Sequence, residues 1–174
     1  MKRMTLAIPA VLVAIAALAV VGGATAKKPA LSSTPVFKLN LKPSQEVPRV
    51  DLKAKASGHV TFDLARDSSG AITAGEVIFY FNYSFPGNVV ISGLHIHQGA
   101  KGANGGIVVN SGVTTIADSD GVGNVTTVVT SGFTPATLQA ILDNPRNYYV
   151  NLHTTTPNFP GGAVRAQMHN PKKR

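Results

Sequence analysis

Residues 76–85 read EVIFYFNYSF, and Val77, Phe79, Phe81, Tyr83 and Phe85 occupy every second position. Successive side chains of an extended strand point to opposite faces, so this stretch predicts a β-strand with one aromatic face turned into a core. Asp67-Ser68-Ser69-Gly70 supplies a turn before it, and Pro86-Gly87-Asn88 ends it.

The same period-2 pattern spreads in both directions. Phe37, Leu39 and Leu41 alternate with Val36, Lys38 and Asn40, and Val60, Phe62 and Leu64 with His59, Thr61 and Asp63. Further strands are expected over Val89 to His97, Ile107 to Val109, Tyr148 to His153 and Ala163 to His169. Val113 to Ile116 and Val122 to Val129 flank Asp118-Ser119-Asp120-Gly121, which reads as a hairpin turn. One segment has a different period. Thr134 is a good N-cap, Pro135 suits the first helical position, Leu138, Ile141 and Leu142 share a face, and Asn144-Pro145 stops the run. About eight short strands and one short helix give an all-β fold, a single Greek-key or immunoglobulin-like β-barrel or sandwich over residues 36–169. No internal repeat and no second domain is visible.

The ends read differently from the body. Lys2 and Arg3 form a positive n-region, Leu6 to Val21 is an uncharged apolar run, and Ala24-Thr25-Ala26 is a small-residue cleavage site. Residues 1–26 are therefore expected to be a cleaved signal peptide. The run falls short of the ~20 residues that usually span a bilayer, which disfavours a retained anchor. Residues 27–35 read as a flexible linker and residues 170–174 as a basic tail. No later stretch is long and apolar enough to span. With no Cys in the chain, lipid attachment at a lipobox cysteine, disulfides and thiol chemistry are excluded. The expected location is the medium, the periplasm or the cell surface.

A net charge of +8 invites a nucleic-acid reading, but the charge sits in the wrong places. Of 16 basic residues, Lys2, Arg3, Lys27, Lys28, Lys172, Lys173 and Arg174 lie at the ends, which leaves nine against eight acidic residues in the body. A nucleic-acid binder needs a basic stripe on its folded elements, and none is present.

The residues able to carry chemistry fall in three strand regions. With Leu94 and Ile96 in the core, His95 and His97 share the opposite face. With Tyr148, Val150 and Leu152 in the core, Tyr149, Asn151 and His153 share the other face; with Val164, Ala166 and Met168 inward, Arg165 and Gln167 point out. These outward faces are expected to be solvated. His-x-His on one strand can offer two imidazoles to a metal, with a third histidine from a neighbouring strand. His95, His97 and His153 are the candidate ligands, for copper or zinc. Tyr149, Asn151, Arg165 and Gln167 are candidate binding residues beside them. The competing reading is that the histidines are solvated or hydrogen-bond to Asn151, Gln167 and nearby loop backbone. Arg165 argues against a cation, because a guanidinium repels one.

Other motifs carry less. Gly99 to Gly106 lacks the Gly-Lys-Ser/Thr ending of a phosphate loop and reads as a tight turn beside the histidine strand. Asp118 to Gly121 lacks the ligand count and terminal Glu of a calcium loop. No Gly-x-Ser-x-Gly elbow and no pair of catalytic carboxylates stands out, so no catalytic residue is assigned. The glycosylation patterns at Asn82 and Asn124 fall in strand-like sequence, where they occur by chance.

From about Phe37 to Met168 the chain resembles the CHRD domain, found in chordin and in secreted microbial proteins. The matching pieces are Gln45-Glu46-Val47-Pro48, Ala56-Ser57-Gly58, His95-Ile96-His97-Gln98-Gly99, Asn147 to Thr154 and Pro160 to Gln167. Ala163 and Ala166 depart from the usual Gly-Glu-Ile-Arg-Gly-Gln ending, at its acid and its second glycine. If that acid pairs with charge in relatives, the pairing is missing here. The resemblance implies an immunoglobulin-like or Greek-key β fold and no established catalytic activity. The His-x-His-x-Gly element also looks like the copper strand of copper/zinc superoxide dismutase. That enzyme uses further histidines and an acidic zinc ligand that have no counterpart here.

Three functions follow in order of expectation. The first is a non-enzymatic secreted or envelope module that binds a protein or glycan partner. The second is a copper or zinc protein using His95, His97 and His153. The third is a dismutase-like oxidoreductase built on that metal. Fold resemblance alone does not separate them.

Overall fold

The computed structural model describes residues 34–171. The expected signal peptide of residues 1–26, all but the last two positions of the expected linker, and residues 172–174 of the basic tail lie outside the described residues.

Nine strands form two antiparallel sheets. The first has the order β1 (Val36–Leu41), β2 (Lys55–Arg66), β3 (Ile72–Ser84), β7 (Val122–Val129). The second has the order β5 (Ile107–Asn110), β4 (Val89–Gln98), β8 (Tyr148–Thr156), β9 (Phe159–Gln167), with β6 (Ile116–Asp118) also paired to β4. Neither sheet closes on itself, so of the architectures anticipated the molecule is a sandwich. The sheets are tied at one corner, where Lys42 and Arg165 exchange backbone hydrogen bonds of 2.9 and 3.2 Å.

The strand phases are those the alternation predicts. Phe62, Phe79, Phe81, Leu94, Ile96, Val150, Leu152 and Val164 are all fully buried between the sheets. Phe37 packs on Phe62 with ring centroids 5.3 Å apart, a tilted arrangement typical of aromatic pairs. The helix α1 covers Pro135–Asp143, and Thr134 caps it by accepting from the Thr137 amide at 3.1 Å. Its Leu138 and Ile141 close one end of the core. Among the described residues no helix is long and apolar enough to cross a membrane.

Two expectations need correction. Asp118 to Gly121 is not a hairpin, since β6 pairs with β4 while β7 pairs with β3 in the other sheet. The turn itself forms, with Asp118 Oδ1 accepting from the Asp120 and Gly121 amides at 3.1 Å each. Tyr83 donates to Asp118 Oδ2 at 2.8 Å and so anchors the crossing to β3. Asx-turn chemistry is the same whether the chain reverses within a sheet or passes between sheets, so composition alone did not separate the two. The second correction concerns the outer face of β4, β8 and β9. Its residues share a face as predicted, but the face is covered, not solvated: His97, Tyr149, Asn151, His153 and Arg165 are all buried. The cover is the loop of residues 99–106 and the segment around Glu46, both of which lie over this sheet.

Candidate functional site

Register brings the polar residues of the second sheet into rows. His95 lies opposite Asn151, which lies opposite Arg165; His97 lies opposite Tyr149, which lies opposite Gln167; His153 faces Gly93. Gly93 gives the cluster its room. A side-chain carbon there would stand 2.6 Å from Cε1 of His95 and 3.5 Å from Cδ2 of His153. A glycine inside a strand marks such a close approach, a signal the sequence analysis passed over.

The three imidazoles converge. Ring centroids are 4.8 Å apart for His95 and His153, 5.5 Å for His95 and His97, and 5.7 Å for His97 and His153. One nitrogen from each lies within 4.8 Å of the other two. Two rings are held from behind. His97 Nδ1 is 3.0 Å from the Gly105 carbonyl, and His153 Nδ1 is 2.8 Å from the Pro160 carbonyl. A carbonyl only accepts, so each Nδ1 carries the proton and each Nε2 presents a lone pair. Both Nε2 atoms, and Nδ1 of His95, are buried without a hydrogen-bond partner.

Burial dominates the electrostatics. It pulls His95 down to about 4, with His153 and then His97 adding to the effect. It also lowers His97 and His153, against a raising contribution from the Gly105 and Pro160 carbonyls respectively. All three rings are therefore neutral near pH 7 and ready to coordinate without losing a proton.

The remaining predicted residues hold the cover. Arg165, 2% exposed, donates to Asn104 Oδ1 at 3.0 Å and to the Ala103 and Ala100 carbonyls at 2.8 and 3.3 Å. Its guanidinium carbon sits 3.4 Å from the centre of the Tyr149 ring, and that ring stacks on His97 at 4.8 Å and 7°. Tyr149 Oη accepts from the Gly105 amide at 3.3 Å. Gln167 Nε2 donates to the Gly99, Arg146 and Tyr148 carbonyls at 2.9, 2.7 and 2.8 Å. Asn151 lies between His95 and Arg165 in the middle row. The 99–106 loop is thus pinned over the sheet by the side chains beside the histidines.

Glu46 completes the site and carried no assigned role in the sequence. It is 6% exposed, and burial pushes its carboxyl up to about 7, with Arg165 and then Asn151 pulling the other way. Glu46 thus brings a carboxylate to Arg165 even though Ala163 occupies the acid position of the β9 motif.

A family model for the CHRD domain matches residues 37–168, nearly all of the described chain. The chain belongs to the CHRD-domain family. The three histidines, Glu46 and Arg165 all lie inside that match. No curated protein and no solved structure matches this CHRD protein.

Gly93 gives the first test of how the CHRD site is built. In Gly93→Ala the new methyl meets mainly the end of the His95 ring, which must swing away. If His95 holds a metal with His97 and His153, the expected result is a loss of metal affinity of about 10–100-fold, the usual effect of disturbing the support of a ligand. The denaturant midpoint should hardly move. Unchanged affinity in a calorimetric titration would show that His95 is not a ligand.

Proposed function

We propose that this CHRD domain binds one copper or zinc ion through His95, His97 and His153, in a protein exported by its signal peptide. The observation that carries this reading is that each histidine has a buried ring nitrogen with no hydrogen-bond partner of its own, and that one nitrogen from each lies within 4.8 Å of the other two. An unsatisfied buried polar atom costs roughly 1–3 kcal/mol, a cost that a shared ligand would remove at all three rings. The hydrogen bonds behind His97 and His153 are the supports that metal-bound histidines usually have. Imidazole donors without thiolate suit zinc and copper. Three ligands leave a coordination position open, as in sites where a metal meets a further ligand. For tetrahedral binding at ~2.0–2.1 Å, donor nitrogens stand about 3.3 Å apart, so the rings need close by only an ångström or so.

Uptake and its pH dependence test the reading together. Tag-free protein dialysed against zinc at pH 7 should retain about one ion per chain. Because burial lowers all three histidines, protons compete later than for ordinary imidazole. Binding should persist as pH falls through ~6, where exposed histidines protonate, and disappear as it approaches about 4. Half-loss near ~6.5, the range of an ordinary imidazole, would instead place the ion away from the buried cluster.

A further inference from the structure

The outer strands of the two sheets are guarded against pairing with other molecules, except for β7. β5 and β6 are only four and three residues long, β9 carries Pro160 and Arg165, and β1 carries Lys38. Shortness, proline and charge are the usual guards. β7 reads VGNVTTVV, eight residues with no charge, no proline and no shift of register against β3. Its far edge is open. Phe85 donates its amide to the Gly121 carbonyl at 2.9 Å, and Val122 gives its amide to Asp120 Oδ1 at 2.8 Å instead of to Ser84 opposite. Bonded and non-bonded pairs alternate along an antiparallel ladder, so Gly123, Val125, Thr127 and Val129 bond to β3. Val122, Asn124, Thr126 and Val128 therefore turn their backbone groups outward. Among the described residues no backbone hydrogen bond reaches that edge from another segment. The neighbouring Ser111 gives its amide to Leu94 in β4 at 3.1 Å and accepts from the Thr127 hydroxyl at 2.8 Å.

We propose that β7 pairs antiparallel with β7 of a second copy of this chain, joining two four-stranded sheets into one. The two-fold axis passes through Val125. In that register Val122 lies opposite Val128 of the second copy and Asn124 opposite its Thr126, so every outward-facing residue of the strand finds a partner. A slip of two residues either way parts the valines. Val122 and Val128 are 62% and 56% exposed, two of the three large apolar side chains that stand in solvent among the described residues. Both project from the outer face of the sheet, where β-branched side chains opposite one another stabilise strand pairing. Charge selects the same arrangement. Asp118 and Asp120 precede β7, and antiparallel pairing turns them towards the uncharged Thr130, Ser131 and Gly132 of the second copy. Parallel pairing would set these carboxylates beside their own images, where like charges repel.

Sedimentation velocity of the tag-free protein in EDTA, so that no metal bridges molecules, tests the pairing from micromolar to millimolar concentration. A reversible monomer–dimer equilibrium is expected, since one strand a side is small against the ~1,200–2,000 Å² that stable complexes bury. Hydrogen exchange at the Asn124, Thr126 and Val128 amides should slow as the dimer fills. Val122→Glu and Val128→Lys, both at exposed positions, should each weaken it at least about fivefold, because two-fold symmetry counts every change twice. The double variant sets opposite charges across each pair and should regain most of the loss. A monomer at every concentration would overturn the proposal and leave the edge to an extended segment of another protein. A dimer that both single changes spare, or that the double variant fails to restore, would overturn it too. None of these outcomes bears on the histidines.

Discussion

Changing His95, His97 and His153 together to alanine should abolish zinc- and copper-dependent stabilisation while leaving the β circular-dichroism spectrum intact. A ligand at 100 times its dissociation constant stabilises the state that binds it by about 2.7 kcal/mol. In a domain of this size that is on the order of 10 °C in thermal midpoint for the wild type. The triple variant should show none of it. Without metal its stability should stay close to that of the wild type, because truncation removes contacts and partnerless buried nitrogens alike. An equal rise in midpoint for both proteins would show that the ion binds elsewhere.

Arg165→Met should cost about 3–5 kcal/mol, the usual result of breaking a buried charged network by removing one member. The change strips donors from Asn104 and from the Ala100 and Ala103 carbonyls, and takes a cation off the Tyr149 ring. It also leaves Glu46 buried with less compensation, which raises a carboxyl already pushed up to about 7. A carboxyl whose folded pKa lies above its unfolded value destabilises the fold as pH rises from the unfolded pKa through the folded one. The variant should therefore lose stability more steeply than the wild type between pH ~5 and ~8. Adding Glu46→Gln should recover part of the loss at the upper end of that range. Denaturant unfolding at both pH values measures this; a pH-independent cost below ~1 kcal/mol would contradict the role given to Arg165.

Strand phase was legible because it is a local, period-2 property. The alternation at Val77 to Phe85 and at Leu94 to His97 fixes which side chains point together, and register then assembles the histidines. What covers them was not legible. The Arg165 guanidinium meets Ala100, Ala103 and Asn104, more than sixty positions earlier in the chain, and Glu46 comes from the connection between β1 and β2 in the other sheet. A polar face predicted to be solvated is instead buried because a glycine-containing loop folds back over it, and alternation carries no information about loop paths. Two local signals existed. Gly93 inside β4 marks a close approach, and Glu46 sits in the Gln45-Glu46-Val47-Pro48 piece of the family pattern without an evident surface role.

X-ray absorption spectroscopy of the zinc-loaded protein tests the metal centre most directly. Three histidine ligands predict nitrogen scatterers at ~2.0–2.1 Å with the outer-shell signature of about three imidazoles, reduced in Gly93→Ala. A first shell of oxygen alone, or one identical in wild type and triple-alanine protein, would contradict a metal held by His95, His97 and His153.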